Sequence, residues 1–165
     1  MLGQEAMKNP EQQFSCYTGS MLLSFCAVES YMNSIAFAMS RDGKYKEFSY
    51  SEYNELIRFW ERLEELCQKL EIAINKSSGT FQVIEQMRGW RNSLVHSTPY
   101  SIETTEIVET KESRKLHKKY EHRAYTKSVS LKNVKKFYQS ALEVIETIKS
   151  ASGIDPRAMC SYGQI

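Results

Sequence analysis

The stretch FSCYTGSMLLSFCAVESYMNSIAFAM, residues 14–39, decides the fold class. Its apolar positions, Phe14, Met21, Phe25, Val28, Met32, Ile35 and Met39, are spaced by threes, fours and sums of the two. That period belongs to one face of an α-helix, whereas a strand would alternate every second residue. A second row, Leu22, Cys26, Glu29, Asn33 and Ala36, flanks the first, and Glu29 and Asn33 interrupt its apolar character. Ser, Thr and Cys recur through the stretch, so it reads as a core helix rather than a membrane span. The sequence Arg41-Asp42-Gly43-Lys44 ends it.

Three further helices follow from the same reading. Ser49-Tyr50-Ser51-Glu52 fits a capping box, with Ser49 as N-cap and Glu52 reaching back. Phe48 before the cap and Tyr53 after it fit a hydrophobic staple. The stripe Tyr53, Leu56, Trp60, Leu63, Cys67, Leu70, Ile74 then predicts one helix of six turns, broken by Asn75-Lys76-Ser77-Ser78-Gly79. A third helix is expected from about Thr80 to His96, with Phe81, Ile84, Met87, Leu94 and Val95 inward. It should stop there because Pro99 disfavours helical geometry at Thr98. The last runs from near Ser130, shows Leu131, Val134, Tyr138, Ala141, Ile145 and Ile148, and ends at Gly153 and Pro156. The expectation is an all-α antiparallel bundle of four long helices, with an irregular or short β-ribbon insertion before the last.

Length and composition agree with a single helical domain spanning residues 1–165. A chain of 165 residues buries roughly 70% of the surface its unfolded form exposes, enough for one real core. With 41% hydrophobic, 25% charged and 12% aromatic residues, it is neither disordered nor fibrous. Residues 1–12 lack periodicity and are expected to fray, and 154–165 form a short tail. No secretory signal pattern opens the chain. Cys16, Cys26, Cys67 and Cys160 make no CxxC pair, which argues against a disulfide framework or zinc site and for a reducing cytoplasm.

Charge is unevenly placed. The net charge is +2, yet Lys111 to Lys136 holds ten Lys or Arg against Glu112 and Glu121. Such a run is either a solvated face or a surface for a polyanion, where clustered cations release counterions from a phosphate backbone. Lys115, Lys118, Lys119 and Arg123 are the candidate RNA contacts, and Tyr120 and Tyr125 the candidates for stacking on bases. Within the basic insertion, about 100–128, Thr104–Thr110 could pair with Arg123–Val129 as a ribbon, or Lys111–His122 could form a charged helical arm. His117 and His122 lack metal-site spacing.

The chemistry concentrates in Met87-Arg88-Gly89-Trp90-Arg91-Asn92-Ser93-Leu94-Val95-His96. Arg91 lies on the face of Ile84, Met87 and Val95, where an apolar residue is expected. An arginine there needs an acid, a phosphate or water. Arg91, Asn92 and His96 together can hold a phosphate and move a proton near neutral pH. Alternatively, Arg91 and His96 form a structural pair at the helix end. Five residues rotate by roughly 140° on an ideal helix, so the two converge only if the helix end unwinds or a second copy faces the first. Glu29 and Asn33 either cross-link helices as structure, or Glu29 holds Arg91 in place from the next helix.

Arg91-Asn92-Ser93-Leu94-Val95-His96 is similar to the R-x4-6-H motif of the HEPN superfamily, including the polar residue after the arginine. Ala27-Val28-Glu29-Ser30-Tyr31-Met32-Asn33 looks like the opening helix of many members. The resemblance implies an all-α, cofactor-free endoribonuclease that cleaves RNA without a metal at a site shared across a homodimer. Arg91 would stabilise charge on the scissile phosphate, Asn92 would orient groups, and His96 would transfer the proton as the 2′-hydroxyl attacks. It further implies a toxin, antiphage or RNA-processing setting, with an antitoxin or nucleotidyltransferase as partner. A catalytically silent, dimeric nucleotide-binding or scaffold module is the alternative. Thr98 stands where one toxin subfamily has a modifiable tyrosine, so that form of regulation is not implied.

Overall fold

A computed structural model describes residues 10–95 and 126–156. Five helices are present among them: α1 (Pro10–Met39), α2 (Tyr50–Glu55), α3 (Phe59–Lys69), α4 (Gly79–Val95) and α5 (Leu131–Ser152). Short 3-10 turns occupy Gly43–Tyr45 and Thr126–Ser128, and no strand occurs among the described residues. The all-α class is therefore as the periodicity predicts. Helix α1 begins at Pro10, within the stretch that lacks periodicity; residues 1–9 lie outside the described residues.

The stripe of α1 is the spine of the core. Met21, Phe25, Val28, Met32, Ile35 and Met39 are all fully buried, whereas Phe14 is 42% exposed. By length and composition α1 is also the one described helix that could cross a membrane, with mean hydropathy 1.3 over Gln12–Met39. Here its apolar face is spent on protein: α1 packs most extensively against α5, and then on α4 and α3.

The second predicted helix is two helices. At Leu56 the backbone turns extended (φ −66°, ψ 118°), and α3 restarts at Phe59. Local chemistry stabilises both sides of this break. Ser49 Oγ accepts from Glu52 N–H at the start of α2, and the Phe48 and Tyr53 rings lie 5.9 Å apart, forming the expected staple. At the restart, Arg58 N–H donates to the Glu61 carboxylate (3.1 Å). Helix α3 then closes in a Schellman motif, with Ile72 N–H on Cys67 O (2.8 Å) and Glu71 N–H on Gln68 O (3.3 Å). That geometry puts Glu71 at φ 58°, a left-handed conformation natural to glycine. The stripe from Tyr53 to Ile74 still faces inward throughout, buried or half-buried.

The break changes the topology. At about 1.5 Å per residue, the 11 residues of α3 cannot traverse the bundle that the 30 of α1 span. Three long helices remain, and their ends fix their senses. Thr80 donates to Glu143 (2.6 Å), and one to two turns later along α4 Lys136 donates to Gln86 (2.7 Å), so α4 and α5 are antiparallel. Tyr45, just past α1, donates to Ser152 O (2.8 Å) at the end of α5. Thus α1 and α5 run the same way, and the strict up-and-down order of four long helices does not hold.

Helix α5 starts on the N-cap Ser130 and ends on Gly153 at φ 68°, matching the predicted bounds. Its buried face includes Phe137, Ser140, Ala141, Val144 and Ile148. Ala141 and Ile148 are as predicted, whereas Phe137 takes the place expected for Tyr138, which is 58% exposed, and Val144 that expected for Ile145. Ile154, assigned to the tail, is buried. Of the conjectured ribbon, Thr104–Thr110 lies outside the described residues and Thr126–Ser128 is a 3-10 turn.

Candidate functional site

Helix α4 is anchored by Val83, Ile84, Met87 and Trp90, all buried. The Trp90 ring meets Phe137 of α5 edge-on at 6.0 Å. Because Arg91 follows Met87 by one turn, it emerges on the same side, half-buried in the last turn of the helix. Its Nη1 donates to Asn92 Oδ1 (3.2 Å), joining the two motif residues directly. Val95, expected inward, is 55% exposed where the helix runs out. His96, the third motif residue, lies outside the described residues, as do Lys115, Lys118, Lys119, Tyr120 and Arg123.

Glu29 and Asn33 stand one turn apart on α1, both half-buried. Loss of water around Glu29 raises its carboxyl above the ordinary value, and the positive charges of Arg91 and Arg62 oppose that shift. Glu29 of α1 and Arg91 of α4 are therefore within electrostatic reach of each other. Among the described residues, Glu29 makes no ion pair within 4.0 Å.

Arg62 is the residue that the sequence reading missed. From the first turn of α3 its Nε donates to Leu56 O (2.6 Å), Nη2 to Asn54 O (3.2 Å) and Nη1 to Asn33 Oδ1 (3.3 Å). It thereby satisfies carbonyls left open at the α2–α3 break and ties the break to α1. Its guanidinium also lies 5.7 Å from the Tyr53 ring centre. Nothing in a stretch read as one continuous helix marks Arg62, since the Leu56 and Asn54 carbonyls are open to it only because the helix breaks, and Asn33 lies on another helix.

Between α1 and that break lies a cleft of about 210 Å³, lined by Glu29, Met32, Asn33, Ile57, Phe59 and Arg62. Phe59 is braced by Phe25 (ring centres 4.9 Å apart) and Trp60 (5.7 Å). Trp60 in turn donates its indole N–H to Glu85 of α4, whose carboxyl is held below its ordinary value mainly by its hydrogen bonds from Arg88. Cys67 is buried among apolar groups, which pushes its thiol up to about 12. No cluster of three His, Cys, Asp or Glu suited to a metal ion occurs among the described residues.

No protein-family model, curated protein or solved structure matches this chain.

Proposed function

We propose that this chain is a metal-independent endoribonuclease of HEPN type, acting in the cytoplasm as a homodimer. The observation that carries the reading is the Arg91–Asn92 pair at the end of α4. Its guanidinium is half-buried where the helix stripe calls for an apolar side chain, and it acts electrostatically on Glu29 across the α1 interface. A cation placed there, with no acid partner within 4.0 Å among the described residues, suits a phosphate. Exposed Val95, one turn beyond Arg91, gives a second copy an apolar group to cover.

In this reading the 2′-oxygen of RNA attacks the adjacent phosphorus and the bond to the 5′-oxygen breaks. A 2′,3′-cyclic phosphate and a 5′-hydroxyl result. Arg91 stabilises the charge that gathers on the phosphoryl oxygens, Asn92 fixes the arginine's orientation, and His96 moves the proton. The basic segment with Lys115, Lys118, Lys119, Tyr120 and Arg123 supplies the approach for RNA, and the setting is a toxin–antitoxin, antiphage or RNA-processing system.

The test is incubation of purified protein with single-stranded RNA in EDTA. Cleavage should persist, and His96→Ala and Arg91→Lys should abolish it while remaining folded and dimeric. A dimeric His96→Ala protein cutting at the wild-type rate refutes the assignment. Nucleotide binding without any cleavage by the wild type would instead establish the silent nucleotide-binding module, which the cleft beside Glu29 favours.

A further inference from the structure

The cleft between α1 and the α2–α3 break combines groups that single-stranded nucleic-acid sites use to hold one base. Its volume, about 210 Å³, is below the range of roughly 300–1,000 Å³ for sites taking drug-sized ligands. It therefore suits a single ring system. Phe59 offers an aromatic surface already fixed by Phe25 and Trp60, so little order is lost when a base stacks on it. Ile57 lines the mouth and is 92% exposed. The wall on α1 is polar and directional. Asn33 Oδ1 is occupied by Arg62, which leaves the amide N–H groups of Asn33 to donate. One turn away, Glu29 has no close ion-pair partner among the described residues, so its oxygens are available to accept.

We propose that this cleft binds a guanine base of single-stranded RNA by its Watson–Crick edge. Guanine presents an acceptor, O6, beside two donors, N1–H and N2–H. The Asn33 amide donates to O6 while the Glu29 carboxylate accepts from the two nitrogens. Adenine and cytosine place a ring-nitrogen lone pair against that carboxylate, and uracil offers a single N–H. Reading of splayed-out bases on an aromatic platform is the general mode for single-stranded RNA. Arg91 contributes to the electrostatics of Glu29; a role for this cleft in RNA cleavage, but not the base binding itself, rests on the ribonuclease reading.

The experiment is a calorimetric titration of the full chain with GMP, AMP, UMP and CMP, with Glu29→Gln and Ile57→Asp alongside. GMP should bind at least about tenfold tighter than AMP, and Glu29→Gln should remove that preference. Ile57→Asp changes a side chain in open solvent, so the fold is kept, and it should weaken GMP by at least about fivefold. Four nucleotides binding alike, or either variant binding GMP like the wild type, overturns the proposal. GMP selectivity without RNA cleavage upholds the cleft and refutes the nuclease. Metal-independent cleavage that needs His96 but shows no GMP selectivity upholds the nuclease and refutes the cleft.

Discussion

Replacing Arg62 by Met should destabilise the fold far more than the same change at Arg91, although both are half-buried arginines of one polar layer. Arg62 donates to Leu56 O, Asn54 O and Asn33 Oδ1 at 2.6, 3.2 and 3.3 Å. Hydrogen bonds from a charged group contribute about 1.5–3 kcal/mol each when buried. The Asn54 contact is exposed and is discounted toward the value of a surface pair, about 0–1 kcal/mol. The remaining two, partly screened, give a loss of about 2–4 kcal/mol, which at about 2–4 °C per kcal/mol lowers Tm by about 4–16 °C. Among the described residues Arg91 donates to its neighbour Asn92 (3.2 Å), and losing that contact should cost less than about 1 kcal/mol. Urea unfolding followed by circular dichroism, with m-values checked for constancy, measures both. Equal losses for the two variants would show that Arg91 is structural and would remove the argument for its phosphate role. A wild-type midpoint for Arg62→Met would show that the α2–α3 break stands without it.

Two further outcomes follow from local chemistry. The Glu29 carboxyl titrates above its ordinary value because burial outweighs Arg91 and Arg62, so stability linked to it is full at pH below the unfolded value and is lost as pH rises through the folded one. Glu29→Gln should therefore raise the urea midpoint at pH 7 and change it least below pH 4; a variant less stable at pH 7 contradicts this. Glu71, held at φ 58° in the Schellman turn, should be replaceable by Gly with a gain of about 0.5–1 kcal/mol, since relief of left-handed strain exceeds the entropy lost by glycine. A lower Tm for Glu71→Gly in a thermal melt would sink that reasoning.

The sequence by itself determined the elements whose signals are local. The 3-4 spacing of Met21 to Met39 made α1 and its buried face, because burial of a helix stripe follows directly from the 3.6-residue period. Ser49 and Ser130 fixed helix starts and Gly153 an end, since caps satisfy backbone groups with residues next to them in the chain. Arg91 was visible as a charge in an apolar stripe. Only the tertiary structure decided what depends on neighbours distant in sequence. Tyr53 to Ile74 keeps its apolar register across the α2–α3 break, so periodicity could not reveal the break that Arg62 and the α1 contact stabilise. The choice of Phe137 over Tyr138 for the core was made by where Trp90 lies across the interface. The meeting of Glu29, Asn33, Arg62 and Phe59 in one cleft has the same cause. Each belongs to a helix whose rotation and position are set by packing, and packing is not written in the period of any one segment.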